Sequence, residues 1–303
     1  MSRSSLIRDG LIYSSLFLVL LFSLGTPLSL VTVWFLPLPF LLFTARQGWQ
    51  SALLFVVLLS GLIVVLTGSV YTPLILLVTT IAGLVMGELY RRPQTTGTDV
   101  VLGGLVTTWV GFLTMLAVGA VFFHLFDRVQ SLWQEQWAAS QELFRAYGMP
   151  EELPDMPPLG MVIPGLLVFA SVPIPLLNIR VARRILMRGG FPGKYLPPFR
   201  TWRLPRPFFH IYFLALILLL LFGESPGSFP VVLGNAVSIF YLLLMVQGFS
   251  FAAFLLHRSG RGKGWMTVVV LGTLLFPPAA LIIHVMGLID TGTPLRDRLE
   301  KKR

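Results

Sequence analysis

Long apolar runs separated by short polar connectors recur along nearly the whole chain, at residues 11–24, 28–44, 51–67, 72–90, 100–126, 159–179, 207–222, 229–256 and 265–289. A helix needs about 20 mostly apolar residues to cross a bilayer, because backbone N–H and C=O groups inside lipid must satisfy one another within the segment. The pattern predicts an all-α, polytopic transmembrane bundle of eight or nine spans. Two places leave the count open. The first two runs are short and joined only by Gly25, Thr26 and Pro27, and the second is interrupted by Pro37 and Pro39, so they form a tight hairpin or a partly re-entrant pair. The ninth run carries Pro277-Pro278 at its centre, where lost donors and ring clashes predict a kink. The basic start followed by an apolar run has the outline of a signal peptide, but no small-x-small site precedes the run that begins at Leu28, which predicts an uncleaved first span.

The connectors set the orientation. With the N-terminus inside, the inside segments hold Arg3, Arg8, Arg46, Arg91, Arg92, then Arg180, Arg183, Arg184, Arg188, Lys194, Arg200, Arg203, Arg206, then Arg258, Arg261 and Lys263, against Arg128 and Arg145 outside. Short cytoplasmic loops carry the lysine and arginine excess, so a bacterial cell (inner) membrane protein with a cytoplasmic N-terminus is expected. One feature conflicts with nine spans. They would put the tail with Arg296, Arg298, Lys301, Lys302 and Arg303 outside, which points to a re-entrant segment.

Composition agrees with a lipid solvent, since 55% of the 303 residues are hydrophobic and only 12% are charged, half the charged share of an ordinary soluble domain. The formal net charge of +10 would suggest nucleic acid in a soluble protein. Here the cations sit in short loops and serve topology, so membrane lipid is the expected partner and nucleic acid is not. Cysteine is absent, which removes disulfides, thiolate metal sites and cysteine nucleophiles.

Two connectors differ from the rest. The outside segment 127–158 is acidic, with Asp127, Glu135, Glu142, Glu151, Glu152 and Asp155, and begins as an amphipathic helix. In it, Val129, Leu132, Trp133, Trp137, Phe144 and Tyr147 fall near one face and Arg128, Glu135 and Glu142 on another. It extends the fifth span or lies in the outer interface. The inside segment 180–206 has no acidic residue. Arg180, Arg183, Arg184 and Arg188 share a helical face, and the glycines and prolines from Gly189 to Pro205 force turns and extended chain. Cations near an anionic leaflet contribute roughly 1 kcal/mol each, so Arg180, Arg183, Arg184, Arg188, Arg200, Trp202 and Arg203 are candidate contacts to lipid or to a partner protein.

Chemistry is sparse. Ionisable residues in or near the spans are Glu88, His124, His210, Glu224, His284 and Asp290. Charge is expensive in lipid and therefore a functional candidate, although a neutral His284 bonded to a neighbouring helix is the plainer expectation. No metalloprotease, Walker A or nucleophile-elbow motif occurs, so no enzyme activity, no metal and no cofactor is expected. Glu88 and His124 are the nearest acid/base candidates for a lipid-linked transferase. Gly83-x-x-x-Gly87 permits close helix approach. Thr79 and Thr80 with Thr107 and Thr108 put paired hydroxyls in adjacent spans, and Asn235 and Gln247 lie in the eighth. These six are candidate ligand contacts, unless their polar groups serve helix packing or bond back to their own helices.

Three segments are distinctive together: Pro197-Pro198-Phe199-Arg200-Thr201-Trp202-Arg203-Leu204-Pro205-Arg206, Val246-Gln247-Gly248-Phe249-Ser250, and Gly287-Leu288-Ile289-Asp290-Thr291-Gly292 ahead of Leu295-Arg296-Asp297-Arg298. Their order and spacing resemble the YybS-like family of uncharacterised bacterial membrane proteins, and the resemblance extends over essentially the whole chain. It implies distant similarity to the S-components of energy-coupling-factor transporters and to the rod-shape protein MreD. The implied domains are a six-helix S-component-like core over 1–179 with the outside segment 127–158, a basic cytoplasmic loop over 180–206, and C-terminal helices with a basic tail over 207–303. No vitamin-contact motif of an S-component is present, so the resemblance implies architecture and not substrate. Family members are often encoded near a cyclic-di-AMP phosphodiesterase, which implies an envelope or signalling context.

Two functions are therefore expected. The first is a membrane subunit that binds a small molecule or lipid, with a transport role of S-component type, acting with partners. The alternative is a non-transporting scaffold or regulator of envelope growth, sporulation or nucleotide signalling.

Overall fold

The computed structural model describes residues 3–68, 72–146, 159–225, 227–262 and 264–301. Every regular element among them is helical. The chain divides into two compact units, one of Met1–Met156 with Leu166–Leu196 and the other of Pro157–Gly165 with Pro197–Arg303. The basic segment 180–206 is thus shared between them.

The first unit contains α1 (Arg3–Ser23), the short α2 (Ser29–Thr32), α3 (Leu38–Gln47), α4 (Trp49–Thr67), α5 (Thr72–Arg91), α6 (Gly97–Phe123) and α7 (Leu125–Ala146). The chain continues through α8 (Leu159–Ser171), which contributes to both units, and α9 (Pro173–Arg188). Its core joins α1, α3 and α4 through aromatic rings, with Phe17 against Phe40 at 4.9 Å and Phe43 stacked on Phe55 at 4.3 Å between centroids. The small-residue motif works as its spacing predicts. A Cβ on Gly83 would lie 2.5 Å from the Phe40 Cβ, and one on Gly87 would lie 2.6 Å from the Leu41 carbonyl oxygen, so only glycine lets α5 come this close to α3. A capping box starts α6, with Asp99 accepting from the Thr96 N–H at 2.7 Å and Thr96 Oγ1 accepting from the Asp99 N–H at 3.3 Å.

The amphipathic helix expected at the start of segment 127–158 is present as α7, whose main packing among the described elements is on α6, and it presents Leu132 and Leu143 exposed. Tyr147, Glu151, Glu152 and Asp155 lie outside the described residues. On α9, Ile179, Ala182 and Leu186 bury one face, while Arg180, Arg184 and Arg188 stand exposed on the other. Beyond Gly190 the chain is irregular until a 3-10 turn at Phe199–Thr201.

The second unit adds α10 (Pro207–Phe222), α11 (Phe229–Arg258), α12 (Gly264–Leu275), α13 (Pro277–Gly292) and α14 (Leu295–Lys301). The ninth apolar run is broken where its two prolines restart the chain, at Phe276 between α12 and α13. Successive pairings of Tyr241 with His284 and Gln247 with Asp290 show that α13 advances in the same direction as α11, and contacts of Phe251 with Arg296 and of Arg258 with the Leu299 carbonyl hold α14 beside the last turns of α11. The intervening α12 must run back, so α12 and α13 form a hairpin that enters and leaves at the end of the unit where α11 finishes. At 12 and 16 residues, its arms are roughly 18 and 24 Å long at 1.5 Å per residue, short of the roughly 30 Å hydrocarbon thickness. The run expected as a ninth span is therefore two short helices that double back at its central prolines, each shorter than the hydrocarbon is thick, the arrangement a re-entrant segment requires.

By length and apolarity six helices can cross a membrane among the described residues, namely Ser4–Ser23, Ser29–Gln47, Trp49–Thr67, Gly97–Phe122, Val162–Arg188 and Phe229–Arg258. The pair Pro278–Gly292 and Leu295–Lys301, bent by 75°, raises this to at most seven, and Pro207–Phe222 is a shorter apolar helix. α5, 20 residues long, lies between these helices in the chain.

Candidate functional site

The three distinctive segments meet in space within the second unit. Gly248 of α11 and Gly287 of α13 are the crossing point. A Cβ on either would overlap the other helix's backbone, at the Ile283 and Leu244 carbonyls respectively. This close approach brings Gln247 beside Asp290. Gln247 is buried, donates to the Asp290 carboxylate and to the Trp202 carbonyl at 3.2 Å, and accepts from the Leu204 N–H at 2.9 Å. Arg296 pairs with Asp290 through Nη2 at 2.7 Å and Nε at 3.0 Å, and its Nη1 reaches the Arg200 and Trp202 carbonyls at 3.1 and 3.2 Å. Ser250 donates to the Phe199 and Trp202 carbonyls at 2.9 and 2.8 Å. The Trp202 carbonyl thus collects donors from α11 and α14 together.

Arg203 extends the network outward by pairing with Asp297 and, at 3.1 Å, with Glu300. Burial opposes its charge, but the hydrogen bond and charge of Asp297, aided by Glu300 and Asp290, hold its pKa above the ordinary arginine range. Next to this network a polar cavity of about 230 Å³ is lined by Arg203, Arg206, Asp290, Arg296 and Asp297 among others.

In the first unit, residues 192–196 form a strap across the α5–α6 turn. Lys194 donates to the Arg92 and Thr95 carbonyls, each at 2.5 Å, and to the Leu89 carbonyl at 3.3 Å. The ammonium, together with Thr95, therefore bonds carbonyls of the last turn of α5 and of the turn that follows it. Burial pulls its pKa below the ordinary lysine range, partly offset by the charge of Asp99. Tyr90 donates to the Pro192 carbonyl at 2.9 Å, and Arg183 lies 4.2 Å over the Tyr195 ring.

The candidate polar residues divide between packing and internal bonding. Thr79 and Thr80 donate back to the Leu76 carbonyl, and Thr107 donates to the Gly103 carbonyl at 2.7 Å. Thr108 is fully buried without a hydrogen-bond partner, on the α6 face that Gly104 and Gly111 press against Met86 and Val78. Asn235 donates to the Gly160 carbonyl at 3.1 Å and leaves Oδ1 unbonded. His284 is buried, bonded through Nε2 to the Tyr212 hydroxyl at 3.1 Å and stacked on Tyr241 at 4.2 Å. Glu88 and His124 are not brought together. Leu89 packs at Gly103, whereas His124 follows 21 residues later, just past the end of α6, roughly 30 Å away along the helix.

Sequence reasoning missed Asp9. It is buried in α1, accepts from Gln47 Nε2 at 2.7 Å and lies 3.6 Å from Arg46. Asp9 lies ahead of the first apolar run, where no motif or periodicity marks it. It also missed a groove of about 540 Å³ between α1 and α4, lined by Leu11, Phe43, Leu54, Phe55, Leu58 and Leu62 with Ser14, Gln50 and Ser51 as its polar members. No local motif marks this groove, because it is made by two helix faces distant in sequence.

An all-helical chain with several membrane-length apolar helices and polar groups knotted at helix ends defines a multi-pass integral membrane protein. The chain belongs to the family described as "Predicted membrane protein (DUF2232)", which it matches over residues 12–291. It is 22% identical over 316 positions to "Uncharacterized protein YybS" of Bacillus subtilis (strain 168), covering 99% of this chain and 100% of that protein. No solved structure matches it.

Proposed function

We propose that the chain is a non-catalytic membrane subunit that holds a lipid, or a small molecule with an apolar tail, in the groove between α1 and α4, and acts with partner proteins. The lining of the groove carries this reading. Apolar side chains follow α4 from Leu54 to Leu62, with Gln50 and Ser51 as a polar end. From Gln50 to Leu62 is roughly 18 Å at 1.5 Å per residue, the shape of an extended hydrocarbon chain with a polar head. Transport of that molecule in the manner of an S-component is the extended form, and it rests on the resemblance in architecture. The bacterial cell (inner) membrane, with the N-terminus in the cytoplasm, is the location that the arginine distribution supports.

Native mass spectrometry of the purified chain tests the groove. Gly10 lines it, and no atom lies within 4 Å of a Cβ added there, so the side chain of Gly10→Phe starts in open space within the groove. A retained molecule that Gly10→Phe loses supports the proposal. Equal retention by both proteins, or nothing retained by the wild type, refutes it.

The scaffold or regulator is favoured by a different observation, that Arg180, Arg184 and Arg188 are exposed on one face of α9. A partner with an acidic surface would be lost on changing all three to glutamine, as read by crosslinking in cells. Crosslinks unchanged by the triple variant would remove this alternative.

A further inference from the structure

The geometry points to a separate site for a phosphate ester of the anionic-lipid type, at the mouth of the α12–α13 hairpin in the second unit. A cavity of about 400 Å³ there has Arg200, His257 and Arg261 among its lining residues, over an apolar floor that includes Phe199, Leu256 and Met266. No carboxylate belongs to the described lining, and none of the three basic residues is in an ion pair among the described residues.

The cavity is positioned in advance. Arg200 stands on the 3-10 turn, whose Phe199 carbonyl is bonded by Ser250 at 2.9 Å and whose Arg200 carbonyl is bonded by Arg296 at 3.1 Å. The backbone presenting this guanidinium is thus tied to α11 and α14 before any ligand arrives, which lowers the ordering cost of binding. Arg261 lies 4.7 Å over the Trp265 ring, an arrangement that orients the guanidinium plane and leaves its N–H edge for an anion. Two such edges suit the paired oxygens of a phosphate. Arg258, by contrast, is consumed within the chain, bonding the Leu299 carbonyl.

The outer face of α12 indicates that the phosphate belongs to a lipid. Trp265, Val268, Leu271 and Leu275 are all exposed and recur near one helical face. A headgroup in the cavity would lay its chains along this stripe, with Trp265 at the headgroup level where tryptophan is favoured. A free phosphate ester would use the cavity and leave the stripe bare.

The experiment reconstitutes the full chain in phosphatidylcholine vesicles containing phosphatidylglycerol, extracts it in mild detergent and counts retained lipids by native mass spectrometry. The wild type is expected to keep phosphatidylglycerol in preference. Arg200→Gln and Arg261→Gln should each weaken retention about fivefold, the worth of one cation near an anionic surface, and Arg200→Lys should keep most of it. The thermal melt of each variant is read alongside, and unchanged melts attribute the loss to the site. Displacement of the lipid by inorganic phosphate, with the double glutamine variant insensitive, assigns the same chemistry to a free phosphate ester. Loss of the preference in Gly10→Phe as well would show that the lipid sits in the α1–α4 groove and overturn the assignment. So would a folded double variant that retains phosphatidylglycerol as the wild type does, or a wild type that discriminates neither lipid nor phosphate.

Discussion

Asp290 and Arg296, six residues apart across the bend between α13 and α14, form an ion pair at 2.7 Å whose side chains are only 1% and 2% exposed. The same guanidinium bonds the Arg200 and Trp202 carbonyls, so one buried charge joins the end of the hairpin to the segment preceding α10.

Removing one member of such a pair strands the other. Arg296→Met and Asp290→Leu are each expected to lower stability by about 3–5 kcal/mol, and the double variant to recover part of that loss, since only uncharged partners of the pair then remain unsatisfied. Denaturant titration in detergent measures the coupling. Strictly additive losses would show that the pair is not the unit that matters.

Gly248 and Gly287 are expected to resist any larger side chain. Gly248→Leu and Gly287→Leu force backbones apart and should each cost about 1–3 kcal/mol or more. Gly61→Leu is the control, because nothing lies within 4 Å of a Cβ there. Melting temperatures that fall equally for all three would contradict the crossing geometry.

Lys194→Met takes the ammonium away from the Leu89, Arg92 and Thr95 carbonyls, the first two keeping Thr95 as a donor. Loss of a buried partner costs about 1–3 kcal/mol, and the effect is expected to be local, as faster hydrogen exchange across residues 89–97. Unaltered exchange there would mean that the strap is not held by its ammonium.

The absence of cysteine makes single-cysteine labelling clean. Cysteine at the exposed positions Arg188, Arg261 and Arg298 should react only from the cytoplasm, and at the exposed Gln134 only from outside. Labelling of the Arg298 position from the same side as the Gln134 position would refute both the re-entrant hairpin and the charge-based orientation.

Much of the fold was legible because lipid imposes a simple rule, an apolar run of fixed length, and the runs map onto the helices. The prolines at 277–278 marked the break in the ninth run, but only the pairing of Arg258 with Leu299 and Gln247 with Asp290 shows that the chain turns back. The three distinctive segments were visible as residues, whereas their convergence depends on two glycines permitting one helix crossing. Asp9 with Gln47, and Lys194 with the end of α5, join positions 38 and about 100 residues apart. No periodicity encodes such pairings. The paired threonines were candidate ligand contacts because hydroxyls in neighbouring spans can face a ligand or their own backbone, and Thr79, Thr80 and Thr107 donate to carbonyls of their own helices.

The turned-back hairpin has a consequence for how the chain is made. Since α14 finishes at the end of its unit where α11 also finishes, the proposed cytoplasmic placement of that end by the arginine distribution would keep α14 on the side of its synthesis, with none of it drawn through the bilayer. Insertion then asks the translocation machinery to admit two short apolar arms, while Arg296 finds Asp290 from the side on which both were born.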